Sequence, residues 1–256
     1  MGLFGPSLPI DRDEFEWLLA CFAWIDQKLS APGAAEGFTP QLVLPGDAIL
    51  TDASTASDLF EAVKHAAGLG RWECRLERGD ARSERLNTGL DTGPFSDSSA
   101  LGTFSIEGNT PVIRYDPVLL KTPDALTATF AHELSHLLIH SLGMPPGGEP
   151  LEEHATDCMA VYLGFGVFLA NSARNFRQFS DGAMQGWESQ ASGYLSENAL
   201  VTALAIFERR FQTRSEAPQA LKSYLHPVHR KALRYLDKRH PDLKSDIASI
   251  ELSEWA

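Results

Sequence analysis

The sequence predicts an α+β fold in which a small twisted sheet, largely antiparallel at its ribbon, packs on two central helices, with further helices at both ends. Three observations predict this fold. Apolar residues recur at helical spacing in both halves of the chain, two short strand-type segments flank a turn sequence, and two helix-type segments follow that ribbon. Since 43% of the residues are hydrophobic and no linker divides the chain, we expect one domain over residues 1–256.

The N-terminal part, residues 1–70, is predicted to hold two helices and a short strand. Asp11 can cap a helix that runs to about Leu29. Residues 30–39, which are rich in Ala, Gly and Pro, predict a loop. A short strand at 41–44 and a helix at 55–67 are expected to follow.

The central part, residues 71–175, begins with strands. Residues 72–76 alternate enough to predict a strand, and the polar stretch 77–99 predicts a loop. Residues 101–106 and 111–115 then resemble two strands joined at Glu107, Gly108 and Asn109, a composition typical of hairpin turns. A β-ribbon is therefore expected directly before the next helix.

Four helices are predicted after the ribbon, the last two of them in the C-terminal part, residues 176–256. Thr122, Pro123 and Asp124 combine a cap acceptor, a first-turn proline and an acid near the positive end of the helix dipole. Gly143 is expected to end this first helix. The four predicted helices occupy residues 122–142, 149–171, 197–211 and 227–238.

Charge argues against a nucleic-acid partner. The chain has 22 basic and 34 acidic residues and a net charge of −12, whereas phosphate binding depends on a clustered positive surface. The basic residues between 209 and 239 are predicted to form a solvated helical face. The longest apolar stretch, residues 159–170, is shorter than the roughly 18–20 residues that cross a bilayer, so we expect no membrane span.

The cysteines indicate a reducing compartment. Cys21, Cys74 and Cys158 lie far apart and have no CxxC spacing, which favours neither a disulfide framework nor a thiolate metal site. The first ten residues also lack the basic start and apolar run of a secretory signal. A cytoplasmic location is therefore expected.

The segment HELSH, residues 132–136, lies inside the apolar pattern of the predicted helix 122–142. At positions i and i+4, His132 and His136 project from one face, so both imidazoles can reach one ion, and Glu133 sits beside them. Zinc in such a site lowers the pKa of its bound water, and the glutamate accepts the proton. The segment therefore predicts a Zn²⁺ hydrolase site with Glu133 as the general base.

The third zinc ligand is expected from LEEHATD, residues 151–157, on the next predicted helix. Glu152, Glu153, His154 and Asp157 are all candidates. We favour Glu153 because Glu153 and Asp157 form an ExxxD pair on one helical face. One carboxylate can bind the metal while Asp157, as a second-sphere residue, accepts the other N–H of His132 and fixes its tautomer.

The two motifs resemble those of the gluzincin metallopeptidases, which include thermolysin-like enzymes and soluble relatives of the CAAX prenyl protease. The resemblance covers residues 101–171, where the ribbon, the HELSH helix and the LEEHATD helix follow in the zincin order. It implies a zincin-like fold and zinc held by His132, His136 and Glu153, with Glu133 as general base. It also implies a peptide or protein substrate laid antiparallel along an edge strand, expected at residues 101–106.

Two further features bear on the resemblance. Ile139 and Leu142 occupy the positions where metzincins carry a glycine and a third histidine, which excludes that branch. Relatives of the prenyl protease often carry a His-Pro pair before a basic helix, and His226-Pro227 is loosely similar. His226 or His229 is therefore a candidate oxyanion donor. Tyr115, Tyr162, Tyr194 and Tyr224 could each stabilise an oxyanion as well, but a tyrosine half-buried in the core is the more common case.

Two functional hypotheses follow from these motifs. The first is a cytoplasmic zinc endopeptidase or aminopeptidase. The second is a zincin-like regulatory protein that binds a partner with little or no turnover. A purely structural zinc site is less favoured because Glu133 has no structural reason to lie between the ligands.

Overall fold

A computed structural model describes residues 6–30, 39–79, 101–180, 194–213 and 216–255. The helices and strands, in chain order, are α1 (Arg12–Leu29), α2 (Ala48–Thr51), α3 (Ala56–Ala66), β1 (Arg75–Arg78), β2 (Gly102–Glu107), β3 (Thr110–Tyr115), α4 (Pro123–Leu142), α5 (Glu152–Ala160), α6 (Gly166–Ser180), α7 (Glu197–Phe211), α8 (Ala217–Ala220), α9 (His226–Arg239) and α10 (Leu243–Ala248). Short 3-10 helices cover Pro117–Lys121, Glu149–Leu151, Ser223–Leu225 and Leu252–Trp255. The predicted α+β class is confirmed.

The three strands form one mixed sheet in the order β1-β3-β2. β1 runs parallel to β3, whereas β2 and β3 form the predicted antiparallel ribbon, in which Phe104 pairs with Ile113. The turn of this ribbon contains Gly108 at φ 62°, a left-handed conformation that glycine adopts without strain. Within the described residues, β2 is therefore an edge strand, as expected.

Helix α4 is the central helix of the molecule. Every residue from 125 to 135 is buried, whichever side of the helix it faces. The helix contacts β2 and β3 on one side and α5 and α6 on another. The Phe130 ring packs edge-on against Tyr115 of β3, with centroids 5.6 Å apart. A helix that is enclosed in this way holds its side chains in fixed positions.

The remaining helices pack around α4 and α5. α1 contacts α5 and α7, and α7 contacts α6 and α9. Asp26 of α1 connects three elements, because it accepts hydrogen bonds from the Tyr162 hydroxyl at 2.5 Å and from Arg210 of α7 at 3.0 and 3.1 Å. These hydrogen bonds connect α1 with the turn that follows α5 and with α7.

Two predictions about local structure are wrong. Residues 41–44 were expected to form a strand but form an extended segment outside the sheet, where Val43 N–H donates to Gly164 O at 3.0 Å. The predicted continuous helix 149–171 is also interrupted. It begins as a 3-10 turn, kinks in a π-helical turn at Val161–Phe165, and continues as α6 to Ser180.

The kink at Gly164 explains both differences. Gly164 has φ 106°, and a Cβ at this position would lie 1.9 Å from Gln41 O. The backbone of residues 41–43 therefore occupies space that only a glycine leaves open. The Val43 N–H, which would donate to a neighbouring strand in a sheet, instead donates to the carbonyl of Gly164.

The other predicted elements form within a few residues of their predicted bounds, whereas the short helices α2, α8 and α10 were not predicted. The helices predicted from residues 11, 55, 122, 197 and 227 all form. The predicted caps Asp11 and Thr122 precede α1 and α4 but make no side-chain capping hydrogen bond, whereas α3 has a capping box of Thr55 and Asp58 that was not predicted. The first strand lies at 75–78 rather than 72–76. The predicted loop at 30–39 and most of the predicted loop at 77–99 lie outside the described residues. Within the described ranges, no helix is both long and apolar enough to cross a membrane.

Candidate metal site

Helix α4 brings two imidazoles together. His132 and His136 lie one turn apart on the same face, with ring centroids 4.8 Å apart and planes at 83°. The two Nε2 atoms are 3.1 Å apart. His132 is buried, and the side chain of His136 is 15% exposed. Two ring nitrogens therefore point at a common position near the protein surface.

Helix α5 adds a carboxylate to this pair. Glu153 Oε2 lies 3.4 Å from His132 Nε2 and 3.4 Å from His136 Nε2. The Glu153 side chain as a whole is 40% exposed, yet its Oε2 atom is buried and has no hydrogen-bond partner. A buried carboxylate oxygen without a partner is energetically costly, and a cation would satisfy it. The three residues could hold a metal ion.

Within this group, His132 and Glu153 stabilise each other's charged form. Burial disfavours the charged form of His132, but hydrogen bonding to Asp157 and the contact with Glu153 outweigh it and raise the pKa of His132 well above its usual value. Burial alone would raise the pKa of Glu153, whereas the two histidines lower it well below its usual range. In the metal-free protein, Glu153 is therefore a carboxylate that partial positive charge on the histidines stabilises.

Asp157 supports His132 from the side opposite the candidate ion. Its Oδ1 accepts a hydrogen bond from His132 Nδ1 at 3.0 Å, and its Oδ2 accepts one from the Leu195 backbone N–H at 2.9 Å. Asp157 is buried. A histidine whose Nδ1–H is donated in this way presents the lone pair of Nε2 to a metal.

Glu133 is buried at the base of the same group. Burial raises its pKa, and the positive charges of His132 and His136 reduce that rise. The strand β2 passes so close that a Cβ at Gly102 would lie 2.8 Å from Glu133 Oε1 and 2.5 Å from Thr129 Cγ2. Glycine at the first position of β2 therefore makes room for the Glu133 carboxylate.

Aromatic rings border the candidate site on two sides. Phe104 of β2 stacks on His136, with centroids 6.3 Å apart and planes within 5°. Tyr194 lies against His132 at a centroid distance of 5.4 Å. A cavity of about 20 Å³ beside His132 and Asp157 has room for roughly one water molecule. Its other walls are Leu169, Ala173, Tyr194, Leu195 and Leu200.

The structure separates the remaining candidates from this group. The metal-binding group found among the described residues includes Glu153 but neither Glu152 nor His154, and the His154 ring instead packs edge-on against Trp17. His229 is buried and paired with Glu208, while His226 Nε2 lies 3.0 Å from Leu221 O. The assignment of His226 or His229 as an oxyanion donor stays a prediction and has no geometric support in the described residues.

Sequence reasoning missed three residues of the site, namely Gly102, Phe104 and Thr156. Gly102 and Phe104 share the sheet face turned toward α4, because they alternate along β2. The Thr156 hydroxyl lies 3.4 Å from His136 Nδ1. Thr156 follows Glu153 by three residues, and positions i and i+3 share a helical face. The sequence therefore already indicated that Thr156 faces the site.

Comparisons of this chain with protein-family models, with curated proteins and with solved structures found no match. The function must therefore be inferred from the chemistry of the group itself. Two neutral imidazoles and one carboxylate are a ligand set that several divalent metals accept.

Proposed function

We propose that this protein is a zinc-dependent peptide-bond hydrolase of the gluzincin type, with His132, His136 and Glu153 as the zinc ligands. The observation that carries this function is the triangle formed by the two Nε2 atoms and Glu153 Oε2, with sides of 3.1, 3.4 and 3.4 Å. Tetrahedral ligands about 2.0–2.1 Å from zinc lie about 3.3 Å apart, so the triangle fits zinc without rearrangement.

Three protein ligands are typical of catalytic rather than structural zinc sites. Structural sites are closed by a fourth protein donor, and the group found within the described ranges has three members. The chemistry that zinc supplies when bound is that of a Lewis acid, which also lowers the pKa of a coordinated water toward neutrality. A hydrolase requires in addition a base that takes the proton of the attacking water.

We infer that Glu133 acts as this base. It follows His132 directly in the helix, and its burial raises its pKa toward the range in which a carboxylate both accepts and returns a proton. We expect Glu133 to take a proton from the attacking water and to deliver it to the nitrogen of the leaving amine. Because Gly102 has no Cβ, the Glu133 carboxylate has the space that it occupies beside β2.

The edge strand β2 is the proposed binding surface for an extended peptide. β2 pairs on one side with β3, and Phe104 connects the strand to His136. An extended substrate that adds to the edge of β2 left unpaired by the described strands would run beside the proposed zinc ligands, with backbone hydrogen bonds giving affinity. Ile106, which is 41% exposed and lies on the same strand face as Phe104, would then contact substrate side chains.

The variant Glu133→Gln tests this function. We expect it to keep one equivalent of zinc and to lose about 10²–10⁴-fold in peptide hydrolysis, because the amide cannot accept the proton. Metal analysis after zinc-replete purification and turnover of a fluorogenic peptide library measure the two properties. Glu152→Gln is the matched control. It removes the carboxylate next to Glu153 in the sequence, which is neither a proposed ligand nor the proposed base.

Two outcomes would contradict this function. Less than about one tenth of an equivalent of zinc in the wild-type protein, with no further loss in His132→Ala, would remove the metal site. Retention of zinc with equal biological function in wild type and Glu133→Gln would favour the alternative of a regulatory protein that binds a partner without turnover.

A further inference from the structure

Thr156 of α5 contacts the ligand His136. The side chain is fully buried, and its Oγ1 lies 2.9 Å from the backbone carbonyl of Glu152 and 3.4 Å from His136 Nδ1. It therefore stands between a group that can only accept a hydrogen bond and a ring nitrogen that can donate or accept. The directions of these two contacts decide the tautomer of His136.

A hydroxyl group has one hydrogen, and the Glu152 carbonyl can only accept it. Since that hydrogen is donated to Glu152, the lone pairs of Oγ1 remain for His136. His136 Nδ1 must then be the protonated nitrogen, which leaves a lone pair on Nε2. This is the atom that lies 3.1 Å from His132 Nε2 and 3.4 Å from Glu153 Oε2.

We infer that Thr156 is a positioning residue that holds His136 in the Nδ1–H tautomer and so points its Nε2 lone pair at the metal. The inference rests on the proposed metal site but not on peptide hydrolysis. Asp157 does the same for His132 through its 3.0 Å hydrogen bond. One turn of α5 therefore supplies a ligand, Glu153, and the acceptors that orient both ligand histidines.

The substitution Thr156→Val tests this role, because valine keeps the shape and β-branching of threonine and removes the hydroxyl. We expect zinc affinity to fall about 10–100-fold, the usual cost of losing a partner that orients a metal ligand. Thr156→Ser keeps the hydroxyl and should bind zinc within about threefold of wild type. Affinity is measured in the full-length protein by competition with a chromophoric chelator at fixed pH.

Thr202→Val is the matched control. Thr202 is also fully buried in a helix and donates to the carbonyl four residues back, Asn198 O, at 2.6 Å, but it belongs to α7 and contacts no ligand histidine. Its valine variant should show the general effect of deleting such a hydroxyl and no change in zinc affinity. Long-range ¹⁵N–¹H spectra of the histidine rings provide the second measurement. They should show Nδ1–H for His136 in wild type and Thr156→Ser, and a mixture of tautomers in metal-free Thr156→Val.

Wild-type zinc affinity in Thr156→Val, or an equal loss in Thr202→Val, would overturn the inference. So would a wild-type protein that binds no zinc, which would remove the proposed function as well. A wild-type protein that binds zinc tightly but cleaves no peptide would contradict only the hydrolase proposal, because the affinities and the tautomer of His136 remain measurable.

Discussion

Glu153 carries a buried oxygen atom, Oε2, that neither ring nitrogen satisfies at 3.4 Å. The two imidazoles stabilise the Glu153 carboxylate electrostatically and lower its pKa, but no donor among the described residues completes a hydrogen bond to Oε2. A buried acceptor left incomplete where two imidazoles and a carboxylate converge calls for an explanation, and a bound cation provides one.

Gly102 also acts at the scale of a single residue. A Cβ there would lie 2.8 Å from Glu133 Oε1 and 2.5 Å from Thr129 Cγ2. We expect Gly102→Ala to displace the Glu133 carboxylate, lowering peptide hydrolysis about 10²-fold while zinc content stays at one equivalent. Overpacking should also lower the free energy of unfolding by about 1–3 kcal/mol. Zinc analysis, peptide turnover and urea denaturation measure the three effects.

Two controls separate the clash with Glu133 from general strain. Gly70→Ala places a methyl group no closer than 3.9 Å to its neighbours and should leave activity and stability unchanged. Adding Thr129→Ser to Gly102→Ala removes the Cγ2 contact and keeps a hydroxyl for the bond to Ala125 O. The double variant should regain stability but not activity. Full activity in Gly102→Ala would contradict the position of Glu133 beside β2.

At the scale of elements, the kink at Gly164 determines how residues 41–44 pack. Gly164 accepts the Val43 N–H at 3.0 Å, and the side chains of Leu42, Val43 and Leu44 are buried. Gly164→Ala would combine a left-handed φ of 106° with a Cβ 1.9 Å from Gln41 O. We expect it to lower the free energy of unfolding by roughly 3–5 kcal/mol, measured by urea denaturation, because the extended segment must leave its position.

Gly46→Ala is the matched control for this prediction. Gly46 has a similar φ of 94°, but a Cβ there meets nothing within 4 Å. Its alanine variant should lose only the conformational part, about 1–2 kcal/mol. Equal effects of the two substitutions would show that the approach of Gln41 to the kink contributes nothing to stability.

The same elements show what the sequence could predict. The helices and the ribbon were predictable because apolar periodicity and turn composition are local properties of the sequence, as in the HELSH segment. Glu153 was predictable because its partner Asp157 lies one turn away on the same helix. The kink at Gly164 was not, since it depends on the backbone of residues 41–43 more than a hundred residues earlier. The same holds for Gly102, whose role depends on how closely β2 approaches α4.

At the scale of the whole molecule, the candidate site joins the two helices around which the other elements pack. His132 and His136 belong to α4, which contacts the sheet, and Glu153 belongs to α5, which contacts α1 and α7. An ion shared by these three residues would cross-link α4 and α5 in the folded state. Because the unfolded chain does not hold the ligands together, zinc binding should stabilise the fold.

Removal of zinc is therefore expected to lower the melting temperature. Free zinc at 1,000 times Kd stabilises a folded protein by about 4 kcal/mol. For a chain of this size that corresponds to a shift of roughly 8–16 °C, measured by differential scanning calorimetry with and without chelator. Glu152→Gln should keep this shift, and Glu153→Gln should lose most of it. An equal shift in Glu153→Gln would contradict its role as a ligand.

The size of the zinc-induced shift should depend on pH in a direction set by His132. In the metal-free protein the pKa of His132 is raised well above its usual value of 6.5. Protonation of His132 therefore stabilises the metal-free fold to its full extent below about pH 6.5. This stabilisation is lost as the pH rises through the pKa that His132 has in the folded protein. Zinc binds the neutral ring, so protons compete with it at low pH. Loss of the His132 proton as the pH rises removes this competition, so the gap between the zinc-loaded and metal-free melting temperatures should widen from pH 6 to pH 9. A constant gap would contradict zinc ligation by His132.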